Sequence, residues 1–197
     1  MGEKIIDKLI EFIRENYTIE SDLYEHFNVK RGLRNSDGTG VLVGLTSIGE
    51  VRGYIIDENE KVPVDGRLYY RGINVEEIVR SCISQNRYGF EETVFLILFG
   101  VLPTESQLKD FTELLGRMRT LPDGFTEDMI LKAPSHNIMN KLARSVLACY
   151  SYDSNPDDLS IENVLRQSIK LIARFPTMIA YAYQAKSHYY DKNSLFI

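Results

Sequence analysis

The chain has 197 residues, 44% of them hydrophobic and 26% charged, which is enough to bury a core in one large domain or two small ones. Its formal net charge of −5 argues against the positive field that nonspecific binding to nucleic acid or anionic lipid requires. Two cysteines, three histidines (His26, His136, His188) and no Cys-x-x-Cys or His-x-x-x-His spacing argue against a disulfide framework or a metal site. The opening "MGEKIIDKLIEFI" carries acidic residues throughout, unlike a secretory signal. The longest apolar run, "VFLILFGVL", is too short to cross a bilayer. A reducing cytoplasm is therefore the expected compartment, with Cys82 and Cys149 as small buried thiols.

In chain order, Ile5, Ile6, Leu9, Ile10, Phe12 and Ile13 form one broad face, which predicts an amphipathic helix over 3–16. A short helix is expected over "SDLYEHF", capped by Ser21. "NVKRGLRNSDGTGVLVG" follows, basic and then glycine-rich. Its "GTGVLVG" misses the dinucleotide fingerprint by one residue and precedes strand character instead of joining a strand to a helix, so a flexible turn is the better reading. Lys30, Arg31 and Arg34 before it fit a solvated face, or contacts to a polyanion. Strand character is confined to residues 41–71. We expect a small β-ribbon there, with a turn at Asp65-Gly66.

After Gly72 the pattern is helical. Asn74 with Glu77 reads as a capping-box start, followed by Val75, Ile78, Val79, Cys82 and Ile83 at helical spacing. A helix over 90–99 should end at Gly100. "TESQ" at 104–107 is another capping box, followed by the stripe Leu108, Phe111, Leu114, Leu115 and Met118; Leu121-Pro122-Asp123-Gly124 stops it. A short helix is expected over 126–132. "SHNIMNKLARSVLACYSYD" puts Ile138, Leu142, Val146, Cys149 and Tyr150 on one face, widened by Met139, Ala143 and Leu147. That predicts burial on two sides, at a domain centre or a subunit interface. Ser160 caps a long final pattern in which Pro176 predicts a kink or a break. The chain finishes on "SLFI" without a stop signal, and an apolar end of this kind is expected of a longer polypeptide. No internal boundary is expected within 1–197.

His136 sits at a helix start without a nucleophile elbow or an acidic orienter, so packing or capping explains it better than catalysis. The carboxylate pairs Glu76/Glu77 and Glu91/Glu92 lie in first turns, where the helix dipole favours them. Composition and periodicity by themselves give a mostly helical domain with a small β-ribbon.

The order of the segments gives more. "GLTSIGEVRGYIIDENEKVPVDGRLYYRGINVEEI" contains a turn of the type D-G-x-L-x-Y-R-G leading into a helix. "FEETVFLILFGVLPTESQLKDF" is a helix, Gly-x-x-Pro-Thr, and a second helix. "SHNIMNKLARSVLACYSYD" is similar to a Ser-His-Pro-Met helix, with Asn137 in place of the proline. "LIARFPTMIAYAYQ" is a helix with an internal Pro-Thr. In this order, over some four-fifths of the chain, these segments resemble citrate synthases of bacterial type.

The resemblance implies a mainly α fold, with 1–197 as the N-terminal portion of the large helical domain; the smaller domain and the rest of the large one are absent. The family condenses acetyl-coenzyme A with oxaloacetate, using no bound cofactor. An aspartate takes the methyl proton, one histidine stabilises the enol, a second polarises the ketone, and the citryl thioester is hydrolysed. In the family all three groups follow a Ser-x-Ala-Glu-Asn-Phe segment that this chain does not reach, so no catalytic residue is expected here and the chain alone should be inactive. Arg52 falls where the family has an arginine that meets coenzyme A phosphates. The helix over 137–151 is expected to face a second subunit in a homodimer. The acyl donor stays open between acetyl and propionyl, the latter used by 2-methylcitrate synthases. A non-enzymatic helical interaction module is the alternative of another class.

Overall fold

The computed structural model describes residues 2–16, 19–27, 29, 44–58 and 60–197. The "GTGVLVG" loop up to residue 43, and Lys30, Arg31 and Arg34, lie outside the described residues. The described elements are α1 (Gly2–Asn16), α2 (Ser21–His26), β1 (Gly49–Asp57), β2 (Glu60–Tyr70), β3 (Ile73–Asn74), α3 (Val75–Ser84), α4 (Phe90–Phe99), α5 (Glu105–Met118), α6 (Ile138–Ala148) and α7 (Ile161–Asp191). A π-type turn at Thr126–Leu131 precedes α6 and a 3-10 turn at Cys149–Tyr152 follows it. This is the mainly α architecture expected. The chain divides into two compact units, one of residues 1–10 and 110–197 and the other of 11–109.

In the unit of residues 11–109, the three strands form one antiparallel sheet in the order β1-β2-β3. Among the described residues the ribbon begins at Gly49, with 44–48 outside the strand. Thr46 Oγ1 accepts from the Ile48 amide at 3.1 Å, which turns the chain and delays the ladder. The hairpin closes at Asp57↔Glu60 and not at Asp65-Gly66. Between the pairs Arg52↔Arg67 and Tyr54↔Pro63 the register shifts, so Val64, Asp65 and Gly66 stand opposite Gly53 alone. The Asp-Gly pair thus makes a bulge, because the longer hairpin gains more cross-strand pairs than a turn at 65–66 would allow. Pro63 is tolerated because β3 pairs only with Tyr69 and Tyr70, which leaves the amide edge of β2 at residue 63 without a strand to serve.

Helix boundaries follow local chemistry closely. Asn74 caps α3 by accepting from the Glu76 amide at 3.0 Å. Gly100, at φ 81°, ends α4 in the left-handed conformation. The capping box of α5 is reciprocal: the Thr104 amide donates to Gln107 Oε1 at 2.8 Å, and the Gln107 amide to Thr104 Oγ1 at 3.3 Å. At α2 the cap is Glu20, with no side-chain hydrogen bond, and Ser21 is the first helical residue. Phe95, Leu96 and Phe99 of α4 are fully buried, and Phe12 meets Phe95 edge-on with ring centroids 6.4 Å apart.

The unit of residues 1–10 and 110–197 is built on α6 and α7. Phe125, Ile130, Leu142, Met178 and Ala185 form its buried cluster, with Leu121, Met129, Ile138 and Phe175 packed around it. Ser160 caps α7 by accepting from the Asn163 amide. Of the kink or break expected at Pro176, the break does not occur: α7 runs through it for 31 residues. Ala173 and Met178, buried on either side, hold the two halves against the core, and this packing outweighs the hydrogen bond that proline removes. The helix does have a stop. Lys192 is left-handed at φ 63°, the Asn193 amide donates to Ser187 O, and His188 Nδ1 lies 2.7 Å from Asn193 O.

Within this chain α6 is buried on one side. Lys141, Leu142 and Ser145 are its buried residues, whereas Met139 is 74% and Leu147 75% exposed. One face packs on α7 and the π-turn; the other, widened face is open.

Candidate functional site

The root of the ribbon gathers three arginines, Arg52, Arg67 and Arg71. Residues directly opposite in an antiparallel pair share a face, so Glu50, Arg52, Arg67 and Tyr69 lie on one side of the sheet. Arg52 donates through Nε to Glu50 Oε1 at 2.6 Å and through Nη2 to Oε2 at 3.0 Å, and its guanidinium lies 4.6 Å from the Tyr69 ring centroid. The hydrogen bond from Arg52 holds the Glu50 carboxyl below its usual range, and the same bond raises Arg52. Both side chains remain about half exposed, at 55% and 53%, so the pair is an oriented surface group and not a buried one. Arg52, the one binding residue expected from the sequence, thus stands on β1 over an aromatic face.

Arg71 does not share that face, although simple alternation puts it there. Arg71 and Gly72 form a two-residue hairpin loop between Tyr70 and Ile73, with φ of 49° and 81°. The positive φ at both positions matches the twist that such loops need. The loop swings the Arg71 side chain onto α4, where Nε and Nη2 donate to Ile97 O at 3.2 and 3.1 Å. Nη1 donates to Ser47 Oγ at 2.8 Å, and the Arg71 amide to Ile48 O at 2.9 Å. A cation on a last-turn carbonyl of a helix also meets the negative end of its dipole.

A second concavity lies between α6 and α7. It has a volume of about 240 Å³ and is walled by Cys149, Tyr150, Tyr152, Lys170 and Arg174. Burial lowers the Lys170 pKa, and the Arg166 charge lowers it further. Burial raises the Cys149 thiol, against the influence of Arg174. Arg174 donates to Thr120 O at 3.1 Å. Asp153, at the rim, is raised by burial, but the Asn155 amide and the Arg166 guanidinium outweigh that and leave it below its usual value. Its contact to Arg166 Nη2 is 3.0 Å.

Nothing in the order of residues marks a buried lysine. Lys141 is 2% exposed and donates to Met129 O and Ala133 O, tying α6 to the π-turn. Burial, then the Arg144 charge, lowers its pKa. The histidines have structural occupations. His136 stacks on Tyr190 at 3.5 Å between centroids, His26 packs edge-on to Phe27, and His188 bonds at the end of α7. Asn137, the departure from the expected proline, is the N-cap of α6 and accepts from the Asn140 amide at 2.9 Å. Cys82 and Cys149 are both half-buried and unpaired. No cluster of metal-ligating side chains occurs among the described residues. No described helix is long and apolar enough to cross a membrane.

A family model described as "Citrate synthase, C-terminal domain" matches residues 36–195. The chain belongs to the citrate synthase family. It is similar to the citrate synthase of Saccharolobus solfataricus, 29% identical over 158 residues that cover 80% of this chain and 36% of that one. It is also similar to 2-methylcitrate synthase 1 of Corynebacterium glutamicum, 28% identical over 152 residues, covering 77% of this chain and 34% of the relative. The crystal structure of citrate synthase from Pyrobaculum aerophilum matches with a TM-score of 0.59 and 27% identity, covering 78% of this chain and 38% of that one. The chain therefore spans about a third of the length of the curated relatives it matches.

Proposed function

We propose that this chain is part of an acyltransferase that condenses acetyl-coenzyme A with oxaloacetate, forming citrate and coenzyme A. The observation that carries this reading is the family match across residues 36–195. The chain itself supplies scaffold and one ligand contact. Its three histidines are engaged in stacking, edge packing and helix termination, and none faces a carboxylate in the way a proton-abstraction site needs. The 197 residues alone are accordingly inactive.

Arg52 contacts a phosphate of coenzyme A in this reading. Its oriented guanidinium supplies a fork suited to phosphate oxygens, and Glu50 holds it in place until the anion competes. Two copies assemble through the open face of α6, where Met139, Leu147 and Tyr150 stand exposed beside Ala143. An apolar helix stripe of this kind needs a cover, and an isologous dimer provides one. The unpaired cysteines fit a reducing cytoplasm. Propionyl-coenzyme A is the second reading of the donor, favoured by similarity to a 2-methylcitrate synthase at nearly the same identity and coverage.

The test is an assay of coenzyme A release from acetyl- and propionyl-coenzyme A with oxaloacetate, alongside calorimetry with coenzyme A. The expected results are no turnover with either donor, measurable coenzyme A binding, and its loss in Arg52→Ala. Turnover by the purified chain would refute the scaffold reading. Tight binding of a protein partner with no response to coenzyme A would replace it with an interaction module.

A further inference from the structure

We infer that Arg71 is a positioning residue for the ribbon: it sets the angle at which β1 and β2 present Arg52 to the coenzyme. The proposal rests on the reading of Arg52 given above. Its physical basis is independent of that reading.

The ribbon is poorly supported along its length. Every residue of β1 is exposed, and so are the first nine of β2, up to Leu68. Val51, Tyr54, Ile55 and Ile56 are exposed side chains of β1, so no packed core among the described residues fixes the strands laterally. The ladder between β1 and β2 holds the two strands to each other but not to the helices. Support exists at the root, where Tyr69, Tyr70 and Arg71 become half-buried. There Arg71 joins three segments: the Ser47–Ile48 approach to β1, its own hairpin loop, and the last turn of α4. A planar fork with several donors holds the Ile97 carbonyl and Ser47 Oγ in one orientation, and a lysine cannot. The other end of the tether is rigid, because Phe95, Leu96 and Phe99 bury α4. A non-glycine residue at φ 49° costs strain, and the bonds that this backbone makes possible offset it. Arg52 lies three ladder positions from the Gly49↔Tyr70 pair at this root, so a rotation at Arg71 displaces its guanidinium.

The experiment places spin labels at Ile56→Cys on the ribbon and Ser106→Cys on α5, in the 197-residue chain carrying Cys82→Ala and Cys149→Ala. Distances are measured by pulsed electron resonance for the Arg71 form, Arg71→Lys and Arg71→Ala. Coenzyme A affinity is measured on the same variants without labels. The expected distribution is narrow with Arg71, broad with alanine and intermediate with lysine. Coenzyme A affinity falls about tenfold with alanine and partly recovers with lysine, as loss of pre-organisation predicts, while far-ultraviolet dichroism is unchanged. If the alanine variant does not fold, the lysine variant decides, since it keeps the charge and one donor. A wild-type distribution in the variants that fold overturns the proposal. So does a broadened distribution with unchanged affinity, which would make Arg71 purely architectural. If the Arg71 form binds no coenzyme A, the reading of Arg52 fails and the functional half of this inference with it. The distance measurement would then still show whether Arg71 sets the angle.

Discussion

Asp153 illustrates what a single partly buried side chain does. It is acidic, sits at the start of the loop before α7, and is only 13% exposed, while Arg166 is 27% exposed. Burial opposes its charge, yet the Asn155 amide and Arg166 prevail and its pKa falls below the usual value. A lowered folded-state pKa means that its stabilisation is present above the unfolded carboxylate range and is lost as pH falls through the folded value. Asp153→Asn should therefore cost roughly 1–2 kcal/mol at neutral pH and reduce the acid-side fall in melting temperature below about pH 4. Urea titrations at pH 7 and pH 3 would show it; equal losses at both would contradict the sign. Lys141 is the opposite case. Lys141→Met keeps the stem volume but leaves the carbonyls of Met129 and Ala133 without their donor, at a cost of about 1–3 kcal/mol. Amide exchange should rise first in Thr126–Leu131. Neither effect is visible in the sequence, because a lysine and an aspartate look solvent-facing until their neighbours in space are known.

Among elements, the join between α3 and α4 is set by one glycine. A Cβ built on Gly89 would stand 2.4 Å from Cys82 Sγ, which no real contact tolerates. Gly89 has an ordinary φ of −108°, so the requirement is space and not backbone freedom. Gly89→Ala is expected to cost about 1–3 kcal/mol through overpacking. Adding Cys82→Ala should return most of it, since the two atoms collide with each other. A double-mutant cycle with no coupling would show that the cysteine simply rotates away. The element scale is also where local reading did best. Asn74, Gly100, the Thr104–Gln107 box and Ser160 act as their side chains dictate. It failed at Asp65-Gly66, where a turn-forming pair was overruled by cross-strand pairing. At Pro176 only the break is excluded, because packing on both sides keeps α7 continuous.

For the whole molecule, the open face of α6 decides behaviour in solution. Met139, Leu147 and Tyr150, with Leu159 and Tyr183 of the same unit, leave large apolar side chains in water. The isolated chain is expected to self-associate and to enhance the fluorescence of an apolar dye. Met139→Glu with Leu147→Asp should shift it to monomer in sedimentation velocity, with little change in melting temperature because neither side chain is in the core. A wild-type chain that is monomeric and dye-negative at high concentration would remove the dimer from the proposed function. The sequence left a domain centre and a subunit interface both open for this helix. Periodicity shows how much of a helix is apolar but not how many of those faces the same polypeptide covers.

The sequence by itself determined the helical character, nearly every helix end and the family. These rest on short-range chemistry, caps and periodicity, and on segments in a fixed order. Only the tertiary structure decided where the charged groups act. Arg52 is paired with Glu50 two residues away, within reach of local reasoning. Arg71 bonds across 26 residues and Lys141 across 12. Such partners meet only once the core has packed, so nothing in the order of residues along the chain announces them.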